Sequence, residues 1–563
     1  MINLIKAYSH INNYGIKRAH RIINNARSSF ASRKGIKRIR ESTLRSDLAL
    51  LPSAGHKMVF RVDEKLNFAA VRDNSRNHVS NLLANIKDLL FWHFTENNNG
   101  RTQFNVLAAD SRRVLLSLRE RTEFSHWYFQ EIYPNGKPSR IPRLLNSIDA
   151  NKEYAGILIY ERVAYDAVSN FRTGSREGAS LVFWENSVSY PEHDDVPEGN
   201  GTPVIKSRVW NPRVIELPDP SVFTDEFNET LQSALAPQLV DVDFPIDVVY
   251  TWVNGNDAAW QARKAQALRI HRPEQFVAQA MSDARFADHD ELKFSLRSLD
   301  QFAPWVRKIW IVTAGQTPDW LNDENPKIQI VDHQEIWPDE SGLPNFNSHA
   351  IEANLHHIPG LADKFLYFND DFILTRPVRP SAFYYGNGIS KVFFSRALVN
   401  FQAISPLDNA STVAAKNARI SLTGSGYKSF SRKYFHVPSA LDKNILARAE
   451  KEFCTNFKKT RDAQFRQPTD LAAAGSFYFN YAMAIGEAVP AGIKYDYIDP
   501  AIPDGRKRMS RILRYRNKDC IVVNDGSSPE HPNQREETGR FIRQSLSQLL
   551  PVASQFEKTK ESN

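Results

Sequence analysis

A chain of 563 residues, 42% apolar and 24% charged, is globular in composition and long enough for roughly two to four domains. Its two cysteines, Cys454 and Cys520, exclude a disulfide framework and a cysteine-rich zinc site, and suit a reducing cytoplasm. The formal charge of +8 is concentrated, because residues 1–48 hold eleven Lys/Arg against Glu41 and Asp47; the near-neutral remainder argues against a nucleic-acid-binding core.

Residues 1–50 form a basic arm. Leu4, Ile5, Tyr8 and Ile11 recur at helical spacing, and Arg33, Lys34, Lys37, Arg38 and Arg40 follow as a cluster. An apolar stripe flanked by cations suits an amphipathic helix lying on an anionic membrane surface through residues 1–45; a solvated arm gripping an anionic polymer is the other reading. No uninterrupted apolar run reaches the length of a membrane span, and no secretory signal pattern opens the chain. The expectation is a cytoplasmic protein, peripheral on the inner membrane if the arm binds lipid.

Residues 56–215 read as a strand-containing accessory domain, with strands at Met58–Val62, Gly156–Tyr160 and Ser180–Trp184 and turns at Pro134–Gly136 and Glu198–Gly201. Its aromatics, including Trp127, Tyr128, Phe129 and Trp184, are expected in a core rather than on a saccharide platform. A Pro-rich linker (216–244) precedes a domain over 245–535, with a C-terminal helix and tail over 536–563.

From Ile246 the pattern changes to α/β. Ile246–Val253, Lys308–Thr313, Lys327–Val331 and Lys364–Phe368 are short runs rich in β-branched and aromatic residues, which predicts strands. Asp290–Phe302 predicts a helix, with Leu292, Leu296 and Leu299 on one face and Pro304 beyond its end; a second should run from an Asn347 or Ser348 cap to His357. Strands alternating with helices predict a mainly parallel, Rossmann-like sheet flanked by helices, whose ligands gather beyond the carboxyl ends of the strands.

The polar residues after those strands are the candidates for chemistry. Trp252, Asn254 and Gly255 follow the first strand, where a turn brings backbone close to a ligand and an indole offers a stacking face. Asn369, Asp370 and Asp371 interrupt an apolar run, and paired carboxylates there point to a hard cation such as Mg²⁺. Lys293 and Arg297, four apart on a helix, could clamp a diphosphate or serve as surface ion-pair partners. Of His349, His356 and His357, the last two are adjacent and cannot share a helical face, which argues against a two-histidine metal site.

These words resemble the Stealth family of sugar-1-phosphate transferases. IDVVYTWVNG at 246–255 is similar to its first conserved block; DELKFSLRSLDQFAPWVRKIWIVTAGQTPDWL at 290–321 and LPNFNSHAIEANLHHIPGLADKFLYFNDDF at 343–372, linked by HQEIWP, are similar to its second. His436-Val437-Pro438 with Phe465-Arg466 resembles the third. Cys520 through Asp525 resembles the fourth, with a spacing longer by one residue. The family includes bacterial capsule polymerases and the eukaryotic enzyme that tags lysosomal glycans with GlcNAc-1-phosphate.

The resemblance implies that Trp252, Asn254, Gly255 and Arg297, with Asn369 and Asn524, hold a UDP-sugar. It implies that Asp370, Asp371 and Asp525 bind a divalent metal, Mg²⁺ by expectation, and that His436 is the catalytic base and Arg466 a phosphate clamp beside Asp371. The implied reaction moves a hexose or N-acetylhexosamine 1-phosphate to a saccharide or growing capsule polymer and releases UMP. A metal-dependent glycosyltransferase would release UDP instead, and a non-catalytic saccharide scaffold would release neither.

Overall fold

The computed structural model describes residues 47–558 apart from 54–55, 96–99, 167, 190–201, 211–213, 215, 218–232, 234, 237, 239–240, 271–287, 406–407, 429 and 525–531. The basic arm therefore lies outside the described residues, except for its last few positions.

The α/β expectation is met. Strand β1 (Ile246–Thr251) leads to helix α1 (Glu291–Phe302), then β2 (Ile309–Thr313) and β3 (Ile328–Asp332). Helix α2 (Ser348–Glu352) precedes β4 (Lys364–Asn369), β5 (Phe372–Leu374) and β6 (Ser439–Asp442), which leads directly into α3 (Lys443–Glu452) and α4 (Cys454–Arg461). Strands β7 (Tyr495–Ile498) and β8 (Cys520–Val523) and helix α5 (Pro532–Leu549) follow. The main sheet has the order β3-β2-β1-β4-β6; the first four strands are parallel and β6 is antiparallel to β4.

Side-chain alternation along these strands supplies two apolar layers. Val248, Tyr250, Leu366 and Phe368 join Leu292, Leu296 and Leu299 of α1 on one face. Val249, Phe365 and Tyr367 join Leu446 and Ala449 of α3 on the other. Helices covering both faces explain why the strands read as apolar runs rather than as alternating ones. The second predicted helix is shorter than expected. Asn347 caps it by accepting from the His349 N–H, but Asn354 turns its side chain onto the Ala350 carbonyl at 2.9 Å, and the chain continues as a 3₁₀ turn, Leu355–His357.

One buried carboxylate braces the entrance to the sheet. Asp247 is fully buried and takes two N–H groups of Arg307 at 2.8 and 2.6 Å, the Trp310 indole N–H at 2.9 Å and the Ala362 amide at 2.9 Å. Asp247→Ala strands these donors and is expected to cost about 3–5 kcal/mol. Urea denaturation checks it, and a loss below ~1 kcal/mol would contradict this bracing role.

The accessory residues build a separate eight-stranded sheet among the described residues, with Gly156–Tyr160 and Ala179–Ser189 adjacent in it. Trp127, Tyr128, Phe129 and Trp184 are all buried, as core residues should be. The helix Phe68–Ala84, which packs on this sheet, is docked on α1. Phe68 meets Phe302 edge-on at 5.3 Å, and Gln301 accepts from the Phe68 amide and donates to the Leu66 carbonyl. Helix α5 begins at Pro532 rather than 536, and the tail after it folds back onto α1. Among the described residues no helix is long and apolar enough to cross a membrane.

Candidate active site

Strand register assembles the site. Thr251 at the end of β1 lies opposite Asn369 at the end of β4, so the loops after both strands emerge side by side. Past Asn369 the chain leaves the main sheet through the turn at Asp370 and Asp371, and β5 pairs antiparallel with β8 in a second sheet. The two aspartates therefore occupy the crossing between two sheets. Strand β8 delivers its own end to the same place: the Val523 amide donates to the Asp371 carbonyl at 3.1 Å, and Asn524 Nδ2 donates to Asp371 Oδ2 at 2.9 Å.

His436 arrives from the other side. Tyr367 pairs with Ser439 in the antiparallel β4–β6 ladder, and the three residues before Ser439 run outward past the end of β4. His436 Nε2 lies 3.8 Å from Asp371 Oδ2 and 3.4 Å from Asn369 Nδ2, with its ring edge-on to Phe372 at 4.7 Å. Its side chain is 45% exposed against 10% for Asp371, so the imidazole borders solvent and the carboxylate forms the floor.

Arg466 donates to Ser348 Oγ of α2 at 2.6 Å. Burial lowers its guanidinium pKa, while Glu352, Asp470 and Tyr367 favour its charge. Glu352 is a functional candidate that local sequence pattern does not reveal. Burial raises its carboxyl, and the charges of His349, Arg466 and His436 oppose that rise. Two of the groups that act on it, Arg466 and His436, come from segments far along the chain, and no local periodicity announces them.

The acidic side of the cleft is crowded. Asp370 is pushed up to about 8 by burial, then by Asp371 and Asp288; burial and Asp370 also raise Glu291. Asp371 Oδ1 is buried and has no hydrogen-bond partner among the described residues. Like charges held this closely cannot all ionise unless a cation joins them, and an orphaned carboxylate oxygen offers it a ligand. The residues present fit a divalent ion at Asp370 and Asp371. Asp288 and Glu291 were also missed from sequence, where ADHDEL reads as an ordinary acidic helix start.

Other expectations are placed differently. Asn254 exchanges backbone hydrogen bonds with the Gln316 side chain at 3.1 Å each way, and the Gly255 carbonyl accepts from Gln261, so both sit in an ordered turn beyond β1. Trp252 is only 6% exposed; its ring belongs to the core and its indole N–H donates to Asp288 at 3.3 Å, so it supports the acidic cluster instead of stacking on a base. Arg297 is not brought to the cleft. Its guanidinium forks onto Glu557 at 2.8 and 2.7 Å and onto the Leu550 carbonyl, with Lys293 nearby on the same helix face, so the face does carry ion pairs, but largely buried ones with the chain's tail rather than surface pairs with Asp290 and Glu291. Asp525 lies outside the described residues. The adjacent histidines do meet: the ring centroids of His356 and His357 are 4.1 Å apart, because a carboxylate on α3, Glu450, sits between two side chains long enough to converge on it.

The Arg297 contact makes a pH prediction. Burial raises the Glu557 carboxyl, but hydrogen bonds from Arg297 and the Ser554 amide outweigh it and hold the group below the usual range. A depressed folded pKa contributes stability above the unfolded value, lost as pH falls through the folded one. Glu557→Gln is therefore expected to cost about 1–3 kcal/mol at pH 7 in thermal melts, with the gap to the parent closing as the pH falls below the usual carboxylate range.

Three conserved-region profiles of one family match the chain: Stealth protein conserved region 1 over residues 244–272, region 2 over 285–392 and region 3 over 435–484. An exopolysaccharide phosphotransferase of Mycobacterium tuberculosis is 34% identical over 399 residues, covering 70% of this chain and 71% of that protein. The chain belongs to the Stealth family. An exopolysaccharide phosphotransferase of Streptomyces coelicolor is 42% identical over 318 residues, 56% of this chain and 53% of that protein. The chain thus spans about half the length of that Streptomyces Stealth protein. Among solved structures, the galactosyltransferase LgtC in complex with donor and acceptor sugar analogs aligns over 55% of this chain and 98% of its own, at 11% identity and a TM-score of 0.30. All the residues placed in the cleft, except Asn524, fall within the Stealth regions 2 and 3, and Asn254 and Gly255 within region 1.

Proposed function

We propose that this Stealth protein transfers a hexose or N-acetylhexosamine 1-phosphate from a UDP-sugar to a saccharide hydroxyl, building a phosphodiester-linked exopolysaccharide. The observation that carries the reading is the convergence of His436, Asp370–Asp371 and Arg466–Glu352 on one cleft at the carboxyl ends of β1 and β4. Relatives named exopolysaccharide phosphotransferases support it.

Asp370 and Asp371 would hold a divalent ion, Mg²⁺ by the chemistry of an all-oxygen site, which offsets negative charge on the donor's diphosphate. His436 borders solvent where an acceptor can enter, and its Nε2 takes the proton of the acceptor hydroxyl as the new oxygen–phosphorus bond forms. The bond that breaks joins the sugar-bearing phosphorus to the oxygen of the nucleotide's α-phosphate, so UMP leaves. Arg466, held by Ser348, presents positive charge to the phosphoryl oxygens. Asn524 fixes Asp371 in one rotamer by its 2.9 Å bond.

Products decide the reading. Incubation with Mg²⁺, a UDP-sugar panel and an acceptor oligosaccharide should give UMP and a phosphodiester signal by phosphorus NMR. UDP with a phosphorus-free glycoside would establish a glycosyltransferase instead, and no nucleotide turnover a binding protein.

A further inference from the structure

We propose that His356, His357 and Glu450 form a second metal site, for a zinc-class divalent ion, that staples the helical layer behind the active cleft. The three side chains come from two elements, the 3₁₀ turn Leu355–His357 and helix α3. Their ligating atoms all lie within 4.8 Å of one another. His356 Nε2 is 2.6 Å and His357 Nε2 2.9 Å from the same carboxylate oxygen, Glu450 Oε2.

Proton placement favours a cation at that point. His357 Nδ1 lies 3.0 Å from the Ile336 carbonyl, which can only accept, so Nδ1 carries a proton. In neutral imidazole the other nitrogen, Nε2, then turns a lone pair toward a carboxylate oxygen. The contact is repulsive unless His357 is a full imidazolium or a metal lies between the atoms. An imidazolium would gather beside Arg461, which already binds the other oxygen of Glu450. A metal resolves the contact differently, because two imidazole nitrogens and one carboxylate oxygen then direct lone pairs at a single ion.

The surroundings have the form of a metal site's outer shell. A backbone carbonyl on His357 Nδ1 sets the tautomer that ligates through Nε2, and Arg461 holds Glu450 so that Oε2 faces the histidines. The positive charge of Arg461 opposes the ion and lowers its affinity, yet it leaves Oε2 available. His356 is sealed in, but the side chains of His357 and Glu450 are 28% and 22% exposed, giving an entry path and room for a water as fourth ligand. Two nitrogen ligands select zinc-class ions over Mg²⁺, which separates this site chemically from the all-oxygen Asp370–Asp371 site.

Its position suggests a structural task. The 3₁₀ turn continues the segment that carries Ser348 and Glu352, and α4, which bears Arg461, leads to Arg466. A bound ion would tie both supports of the phosphate clamp to α3.

The test uses full-length protein stripped with chelator and then returned to Zn²⁺ with Mg²⁺ in excess. Elemental analysis after gel filtration should find one zinc per chain, and Zn²⁺ should raise the melting temperature by several degrees. His357→Gln, which can still donate to Glu450, should bind Zn²⁺ about a hundredfold more weakly and lose the thermal shift. Asp371→Asn should keep both. Zinc retained equally by His357→Gln, or none retained by the parent protein, would overturn the site; imidazolium resonances from His357 at pH 7 would then assign the cluster as a charge network.

Discussion

Asparagine in place of Asp371 is expected to abolish the proposed sugar-phosphate transfer without unfolding the protein. The substitution keeps size and shape, and the amide oxygen can still accept the Asn524 hydrogen bond now 2.9 Å long. What disappears is the charge of a carboxylate whose second oxygen has no hydrogen-bond partner among the described residues. Loss of a ligand that neutralises a phosphoryl transition state is expected to lower kcat by about 10³-fold or more. Stability should move the other way. The cluster of Asp370, Asp371, Asp288 and Glu291 is mutually repulsive without a cation, so the variant should melt at the same or a higher temperature in chelator. Initial rates and thermal melts measure both, and a parental rate would exclude Asp371 from the chemistry.

Alanine at His436 produces the second large effect. The ring is nearly half exposed and its packing is limited to an edge contact with Phe372, so truncation should change stability by no more than about 1 kcal/mol. As the proposed base on the site's open side, it should account for about 10²–10⁴-fold in kcat. Because the vacated space opens to solvent, added imidazole should restore part of the rate. Dead protein that imidazole does not revive, but that has lost donor binding, would reassign His436 to substrate positioning.

Much of this architecture was legible in the residues. The apolar runs at Ile246, Ile309, Ile328 and Lys364, bounded by turn residues and rich in β-branched side chains, fit short parallel strands, and the carboxylates breaking the last run at Asp370 and Asp371 stand out against that background. His436 and Arg466 were found only by resemblance, because their link to the aspartates is made through the β4–β6 register and through Ser348, not through sequence proximity. Glu352 and Asp288 were missed for the same reason: each is unremarkable locally and acquires meaning from groups on other elements.

Arg297 shows the converse error. Its spacing from Lys293 correctly described one helical face, but periodicity cannot say what covers a face, and here the chain's own tail does so through Glu557. Trp252 was read from its place after a strand as a stacking surface, whereas the side chain turns inward and spends its polar edge on Asp288. Adjacency misled at His356 and His357, because Cβ directions diverge while the ring nitrogens can still converge on a carboxylate supplied from α3.

The central claim is that the aspartate turn between β4 and β5 holds a divalent cation against the donor's diphosphate. Calorimetric titration of a UDP-sugar into parent protein and Asp371→Asn, each with and without Mg²⁺, tests it most directly. The account predicts Mg²⁺-dependent binding by the parent, and weak binding by the folded variant that Mg²⁺ does not improve. Equal, Mg²⁺-enhanced affinity in both proteins would contradict it.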